Sequence, residues 1–349
     1  MSTGDYPDIA HLVIGPADHG VVRFGERLGE LMGGPVLRLS RPELLTPATA
    51  DLLLDRHPRS IHLQYTDALY AAHTTLAATA FEHVCRQLTV PVTVTMHDLP
   101  DPSDEPARYA RRADSYARVA AAVSAVALNS DHESGLLTTL LAAAPDQAPV
   151  LRTVVPLPVS TPVLVAEADR PAPRPEVAVF GFIYPGKGHE DVLEALAELP
   201  TDIAFTALGR PADGHDDLIG TLNAIAARSH RRMDVTGFVA DSDLIQRLQQ
   251  VAVPVAPGRL VSASGSINTW IDAGRRPLVA AGGYTREFDR RYPGAVRLYR
   301  PGQLPELIRA VLTDPGLSWL SAPVPIFPTG ADRARAYGEA LRHVHEPVG

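Results

Sequence analysis

The chain has 349 residues, enough for two domains of ordinary size, each able to bury its own core. Its 45% hydrophobic and 21% charged content is that of a globular protein and excludes a disordered one. A net charge of −8 at pH 7 argues against broad nucleic-acid binding, which needs a dominantly basic surface. Cys85 is alone, so an internal disulfide and a thiolate metal cluster are both excluded. It falls in an apolar helical pattern, where buried packing is expected. No apolar stretch approaches the ~20 residues of a transmembrane helix. The first residues carry no signal-like core, so a cytoplasmic protein with no integral membrane segment is expected.

In chain order, short β-like runs alternate with longer amphipathic ones. Residues 9–15, 35–39, 60–66, 91–97 and 125–129 read as strands. Residues 19–33, 41–55, 68–88, 106–124 and 131–144 read as helices, and 150–159 as extended. Residues 161–175 are dense in proline, which suits a linker and not a sheet. Alternation then resumes, with strands at 177–180, 203–209, 233–239, 251–256, 277–281 and 295–299. Helices follow at 189–199, 216–228, 241–250, 264–273 and 304–312, and a polar helix at 331–345. Strand–helix alternation with apolar strands predicts α/β architecture: two doubly wound Rossmann-like domains with parallel sheets. The expected division is 1–160, a linker at 161–175, 176–325, and a terminal helix in 326–349. Two such domains make a ligand site where strand C-termini face a cleft.

Glycines and small polar residues cluster at those strand ends. The most informative segment is Gly181-Phe182-Ile183-Tyr184-Pro185-Gly186-Lys187-Gly188, which holds the only lysine of the chain. It reads as strand, glycine-rich turn, helix. Such a turn aims backbone N–H groups and a helix N-terminus at one point and attracts anions. A lysine adds a compact charge that an arginine does not replace. A diphosphate site is the expectation; a plain surface lysine is the alternative. The spacing G-x-x-x-x-G-K-G falls one hydroxyl short of a P-loop, since Gly188 stands where Ser or Thr would bind Mg²⁺.

His97 closes an alternating strand and projects towards the cleft, as a ligand to a sugar hydroxyl, as acid or base, or as a strand cap through Asp98. The turn before the first helix brings His19 and Gly20 to the same rim. Ser262, Ser264, Gly265, Ser266 and Asn268 open a predicted helix, either as a second anion cradle or as simple capping. The histidines form no metal signature, and no metal is expected. Arg108, Arg111, Arg112 and Arg118 give one basic helix, read as a solvated face.

These residues resemble the GT-B glycosyltransferases, most closely the retaining family-4 group that uses nucleotide-diphosphate sugars. The resemblance covers nearly the full length. Gly181–Gly188 is similar to that family's donor-diphosphate loop, with Lys187 as its lysine. His97 is similar to the strand-end histidine that faces the transferred sugar. Gly237-Phe238-Val239 resembles the stretch near the donor base. Two departures stand out: Phe182 replaces the usual arginine, and both usual donor-site glutamates are missing, with Ser262 and Trp270 in or near their places.

The resemblance implies transfer of a sugar from a nucleotide-diphosphate donor to an acceptor hydroxyl, with retention and without metal or other cofactor. His97 and Lys187 would be catalytic. Gly181, Gly186, Lys187, Gly188, Gly237, Phe238, Val239, Ser262, Ser264, Gly265, Ser266 and Asn268 would bind the donor. His19, Gly20 and Asp98 would line the acceptor side. The acceptor would be a saccharide, another small molecule or a lipid-linked molecule, and the reading leaves room for a homodimer. The missing glutamates keep a second reading open: a non-catalytic nucleotide- or sugar-binding protein, or the partner of an active transferase.

Overall fold

A computed structural model describes residues 5–143, 150–159, 162–321 and 327–342. The chain divides into two compact units, one of residues 1–158 and 328–349, the other of 159–327. Each is built on a six-stranded parallel sheet.

Unit 1 runs β1 (Ile9–Ile14), α1 (Gly20–Met32), β2 (Val36–Leu39), α2 (Pro47–Leu54), β3 (Ser60–Tyr65), α3 (Asp67–Tyr70), α4 (Thr74–Arg86), β4 (Val92–Met96), α5 (Pro106–Ala121), β5 (Ala125–Leu128), α6 (Asp131–Ala142) and β6 (Leu151–Val154). The strand order is β2-β1-β3-β4-β5-β6. β1, β3, β4 and β5 are buried along their whole length, as parallel strands covered on both faces must be. The helix expected at 68–88 is two helices. Asp67, at the start of α3, ties the two together: its carboxylate accepts from Thr74 Oγ1 of α4 at 3.2 Å and from Arg112 Nε at 2.9 Å. The basic helix α5 is therefore not a wholly solvated face. Arg112 is paired with Asp67, and Arg118 with Glu82 at 2.8 Å. Burial pushes the Cys85 thiol up to about 12, as its packing role requires.

Unit 2 runs β7 (Arg174–Phe180), α7 (His189–Leu196), β8 (Ala204–Leu208), α8 (Asp217–Arg228), β9 (Met233–Val235), α9 (Asp241–Gln249), β10 (Val251–Ala256), α10 (Gly265–Asp272), β11 (Leu278–Ala280), α11 (Gly283–Arg291), β12 (Arg297–Tyr299) and α12 (Leu304–Thr313). The order is β12-β11-β10-β7-β8-β9. β7 starts earlier than the proline content suggested. Pro175 is tolerated because the β7–β10 register shifts there, between the pairs Val251–Arg174 and Val253–Val177. Helix α11 was not expected. Its sequence is strongly polar, and only Tyr284, Phe288 and Tyr292, at the helix's end, form an apolar stripe. Of the proline-dense segment, residues from 162 on pack on unit 2, where Val163 N–H bonds the Asp272 carbonyl at 3.0 Å.

The chain then returns to unit 1 as α13 (Gly330–Arg342). Residues 343–345 of the predicted terminal helix lie outside the described residues. Tyr337 and Leu341 pack with Leu28 and Met32 of α1. Arg333 is 2% exposed. It donates to the Pro156 carbonyl at 2.5 Å and to Asn129 Oδ1 at 2.7 Å, and its guanidinium lies 4.2 Å from the centre of the Phe24 ring. Tyr337 Oη meets Thr95 Oγ1 at 2.7 Å. A charged side chain can be buried this deeply because its two Nη groups find acceptors.

Candidate functional site

In unit 2 the glycine-rich segment links the end of β7 to α7. Gly188 is the N-cap of α7 at φ +90, and a Cβ there would lie 2.8 Å from Pro257 Cβ. No other residue type fits both constraints. Gly181, at φ +111, leaves room for the lysine: a Cβ on it would lie 3.4 Å from Lys187 Nζ. Lys187 Nζ donates to Ser266 Oγ at 3.1 Å, and Ser266 Oγ is 3.1 Å from Ser264 Oγ. Ser264 also caps α10, accepting from Ile267 N–H at 3.3 Å. Gly265 is the first residue of α10. The two predicted anion cradles are thus one cluster: an ammonium, two hydroxyls and the N-terminus of α10. Such a group meets a diphosphate with donors and positive potential.

The remaining predicted donor residues divide. Gly186, at φ +87, sits in the turn beside Lys187. Ser262 and Asn268 are each 5% exposed, close to the cradle along the chain. Gly237, Phe238 and Val239 follow β9, on the far side of β8, and Phe238 is 66% exposed. Trp270 is 0% exposed and packs with Ala178, Leu208 and Leu248 in the core. Phe182 carries the Arg210 guanidinium 4.9 Å from its ring centre. Arg210 stands at a strand end, on the rim where the sequence places glycines and small polar residues, and its pairing with Phe182 is visible only in the structure.

In unit 1, His97 follows β4 and is buried. Its Nε2 donates to Gln64 Oε1 at 2.9 Å, and its Nδ1 accepts from Asn129 Nδ2 at 3.4 Å. Asn129 is oriented by Arg333, which donates to its oxygen, and by the Met96 carbonyl and the Glu133 carboxylate, which accept from its amide nitrogen at 3.2 and 3.1 Å. Burial, with Arg333 and His19 adding, pulls His97 down to about 3. It is a neutral imidazole at any ordinary pH. Asp98 follows with φ +53, a costly conformation for a residue with a side chain. Its carbonyl is clamped by Arg112 Nη2 at 2.5 Å and the Tyr116 hydroxyl at 3.2 Å. Loss of hydration raises its carboxyl above the usual range, with Arg112 opposing and Asp67 adding. His19 caps α1, its Nδ1 accepting from Val21 N–H at 3.2 Å, and Gly20 opens that helix. Gln64 was not foreseen, because a glutamine inside an apolar strand carries no local signal. Among the described residues no group of three His, Cys, Asp or Glu is placed to hold a metal, and no helix is long and apolar enough to cross a membrane.

No protein-family model and no curated protein sequence matches the chain. Solved structures do. The chain is similar to sucrose-phosphate synthase from Thermosynechococcus elongatus, at 15% identity over 96% of this chain and 94% of that one, with a TM-score of 0.65. It is similar to Anabaena HepE in complex with UDP-glucose, at 16% identity over 96% and 98%, with a TM-score of 0.61. It is also similar to the lipopolysaccharide outer core galactosyltransferase WaaB, at 12% identity over 96% and 99%, with a TM-score of 0.57. These proteins are GT-B glycosyltransferases, and this chain has their fold.

Proposed function

We propose that this protein transfers a glycosyl group from a nucleotide-diphosphate sugar to an acceptor hydroxyl, with retention, and that unit 2 holds the donor. The observation that carries this is the Lys187–Ser266–Ser264 cluster at the N-terminus of α10, within a GT-B fold. Negative charge grows on the diphosphate as the sugar leaves. The Lys187 ammonium and the N–H groups opening α10 stabilise that charge more than they stabilise the ground state, which is what lowers the barrier. Charge neutralisation is assigned to them and not to a metal. The acceptor hydroxyl attacks from the face the diphosphate leaves, and its proton passes to a donor phosphate oxygen. His97 is given a positioning part, since its one N–H is already donated to Gln64. Ser262, Asn268 and the Gly237–Val239 stretch are assigned to the nucleotide and sugar. His19, Gly20 and Asp98 are assigned to the acceptor. The same reading sets the reaction in the cytoplasm.

A second reading, a nucleotide- or sugar-binding protein without transfer, is favoured by Trp270. It fills the place where a ribose-holding carboxylate was expected, and it is buried in the core. One experiment separates the two. Nucleoside diphosphates are titrated by calorimetry, and their sugars are then assayed for hydrolysis and transfer. Binding with turnover supports the enzyme, and binding without turnover supports the second reading. No binding of any nucleoside diphosphate removes both.

A further inference from the structure

Unit 2 has another recess on the same edge of its sheet, whose lining has no part in the glycosyl transfer proposed above. It lies at the C-terminal ends of β11 and β12 and has a volume of about 250 Å³. Asp191, Glu194 and Ala195 line it from one side of α7, and Glu198 follows just beyond. Arg259, from the loop after β10, and Tyr299, from β12, complete its polar lining. The remaining lining is small and apolar, mostly alanine and proline.

The recess is short of cations. Its one guanidinium, Arg259, is paired with Asp191 at 2.8 Å and is itself mostly exposed. Glu198 meets Arg309 only at 3.8 Å. Glu194 makes no side-chain hydrogen bond or ion pair among the described residues. Tyr299 is 7% exposed, yet its hydroxyl has no hydrogen-bond partner among those residues. A buried hydroxyl left unpaired costs stability, and a native fold rarely keeps one without a use. The charged groups acting on it are Asp191 and Arg259, both part of the lining.

We propose that this recess binds a small aliphatic primary amine. Its ammonium is held by Asp191 and Glu194, the Tyr299 hydroxyl accepts one of its hydrogens, and its carbon chain lies against the apolar lining. Arg259 shows that Asp191 takes a cation, and the ligand competes with Arg259 for that carboxylate. A compact ammonium with three donors suits a site of separate carboxylates and one hydroxyl. A metal suits it less, because the carboxylates form no three-ligand group.

The test is calorimetric titration of n-butylamine hydrochloride into the full chain at low salt, with 1-butanol and MgCl₂ as controls. No nucleotide is present, so the result is independent of the glycosyl-transfer reading. The expected result is one site per chain, with Glu194→Gln weakening binding about tenfold, the worth of one charge-assisted hydrogen bond. Arg259→Gln should tighten it several-fold by freeing Asp191. Both substitutions are at exposed positions and leave the fold intact, which circular dichroism verifies. The proposal is overturned by no binding of n-butylamine, by equal affinity in all three proteins, or by MgCl₂ displacing the amine at equal concentration.

Discussion

Arg333 and Asn129 lie 204 residues apart in the chain, and Arg333 Nη2 donates to Asn129 Oδ1 at 2.7 Å. This contact holds the Asn129 oxygen, while the Met96 carbonyl and the Glu133 carboxylate hold its nitrogen. Its nitrogen must then face His97 Nδ1, which leaves the His97 proton on Nε2, bonded to Gln64. A residue of the returning helix α13 thereby joins Met96, Glu133 and Gln64 in holding the tautomer of the histidine at the end of β4.

Arg333→Met keeps the bulk and removes the donors, leaving Asn129 Oδ1 and the Pro156 carbonyl without their partner. Unit 1 should lose about 3 kcal/mol, the cost of buried acceptors left unpaired by a lost charge. Denaturant titration measures the loss. Nitrogen NMR of His97 supplies the second readout: the Nε2–H tautomer should persist, because Gln64 still accepts from Nε2 and Met96 and Glu133 still hold the Asn129 nitrogen.

Lys187→Ala should weaken nucleoside diphosphate binding about 30-fold, or about 2 kcal/mol, with little change in thermal stability. Lys187→Arg should not restore it, because a planar fork does not fit where a point charge contacts Ser266. Unchanged calorimetric affinity in Lys187→Ala would sink the diphosphate role.

Gly188→Ala meets two costs at once. The residue needs φ +90, and its Cβ would sit 3.0 Å from the Pro257 carbonyl oxygen. The left-handed conformation and the overpacking together should cost about 2–4 kcal/mol. Thermal denaturation and nucleotide affinity should fall together, because α7 and the cradle share this turn.

Stability should fall with acid, beginning just below neutrality. Burial lowers His11 to about 4 and His97 to about 3, and it drives His62 well below the ordinary value. Each is neutral when folded and titrates near 6.5 when unfolded, so the unfolded chain binds more protons below pH 6.5. The stabilisation is complete above that pH and is lost as pH falls towards each folded value. The slope approaches about 1.4 kcal/mol per pH unit per histidine. Asp98 has the opposite sign, since its raised carboxyl favours the folded state only in acid, so its titration offsets part of the histidine slope. His11 has neither ring nitrogen bonded among the described residues. His11→Leu should therefore raise stability and remove one histidine's share of the slope. Denaturation midpoints at pH 7, 6 and 5 decide this.

Much of the fold was legible because its signals are local. Apolar runs separated by amphipathic ones mark β1, β3, β4, β8 and β10 directly. α11 was hidden because three aromatic residues do not outweigh a polar sequence until β12 and its neighbours provide something to pack on. The tie of Asp67 to α5 was hidden because its partner Arg112 lies 45 residues away.

The candidate site divides along the same line. The glycine turn, the single ammonium after it and the serines opening α10 are legible along the chain, since backbone conformation and capping depend on near neighbours. Folding in three dimensions is what brings Lys187 to Ser266, makes His97 neutral and bonded at both nitrogens, and turns Trp270 to the core. Those outcomes depend on burial and on partners tens to hundreds of residues distant. Hydration and hydrogen bonding at a side chain are properties of what surrounds it in space, and a linear chain does not specify them one residue at a time.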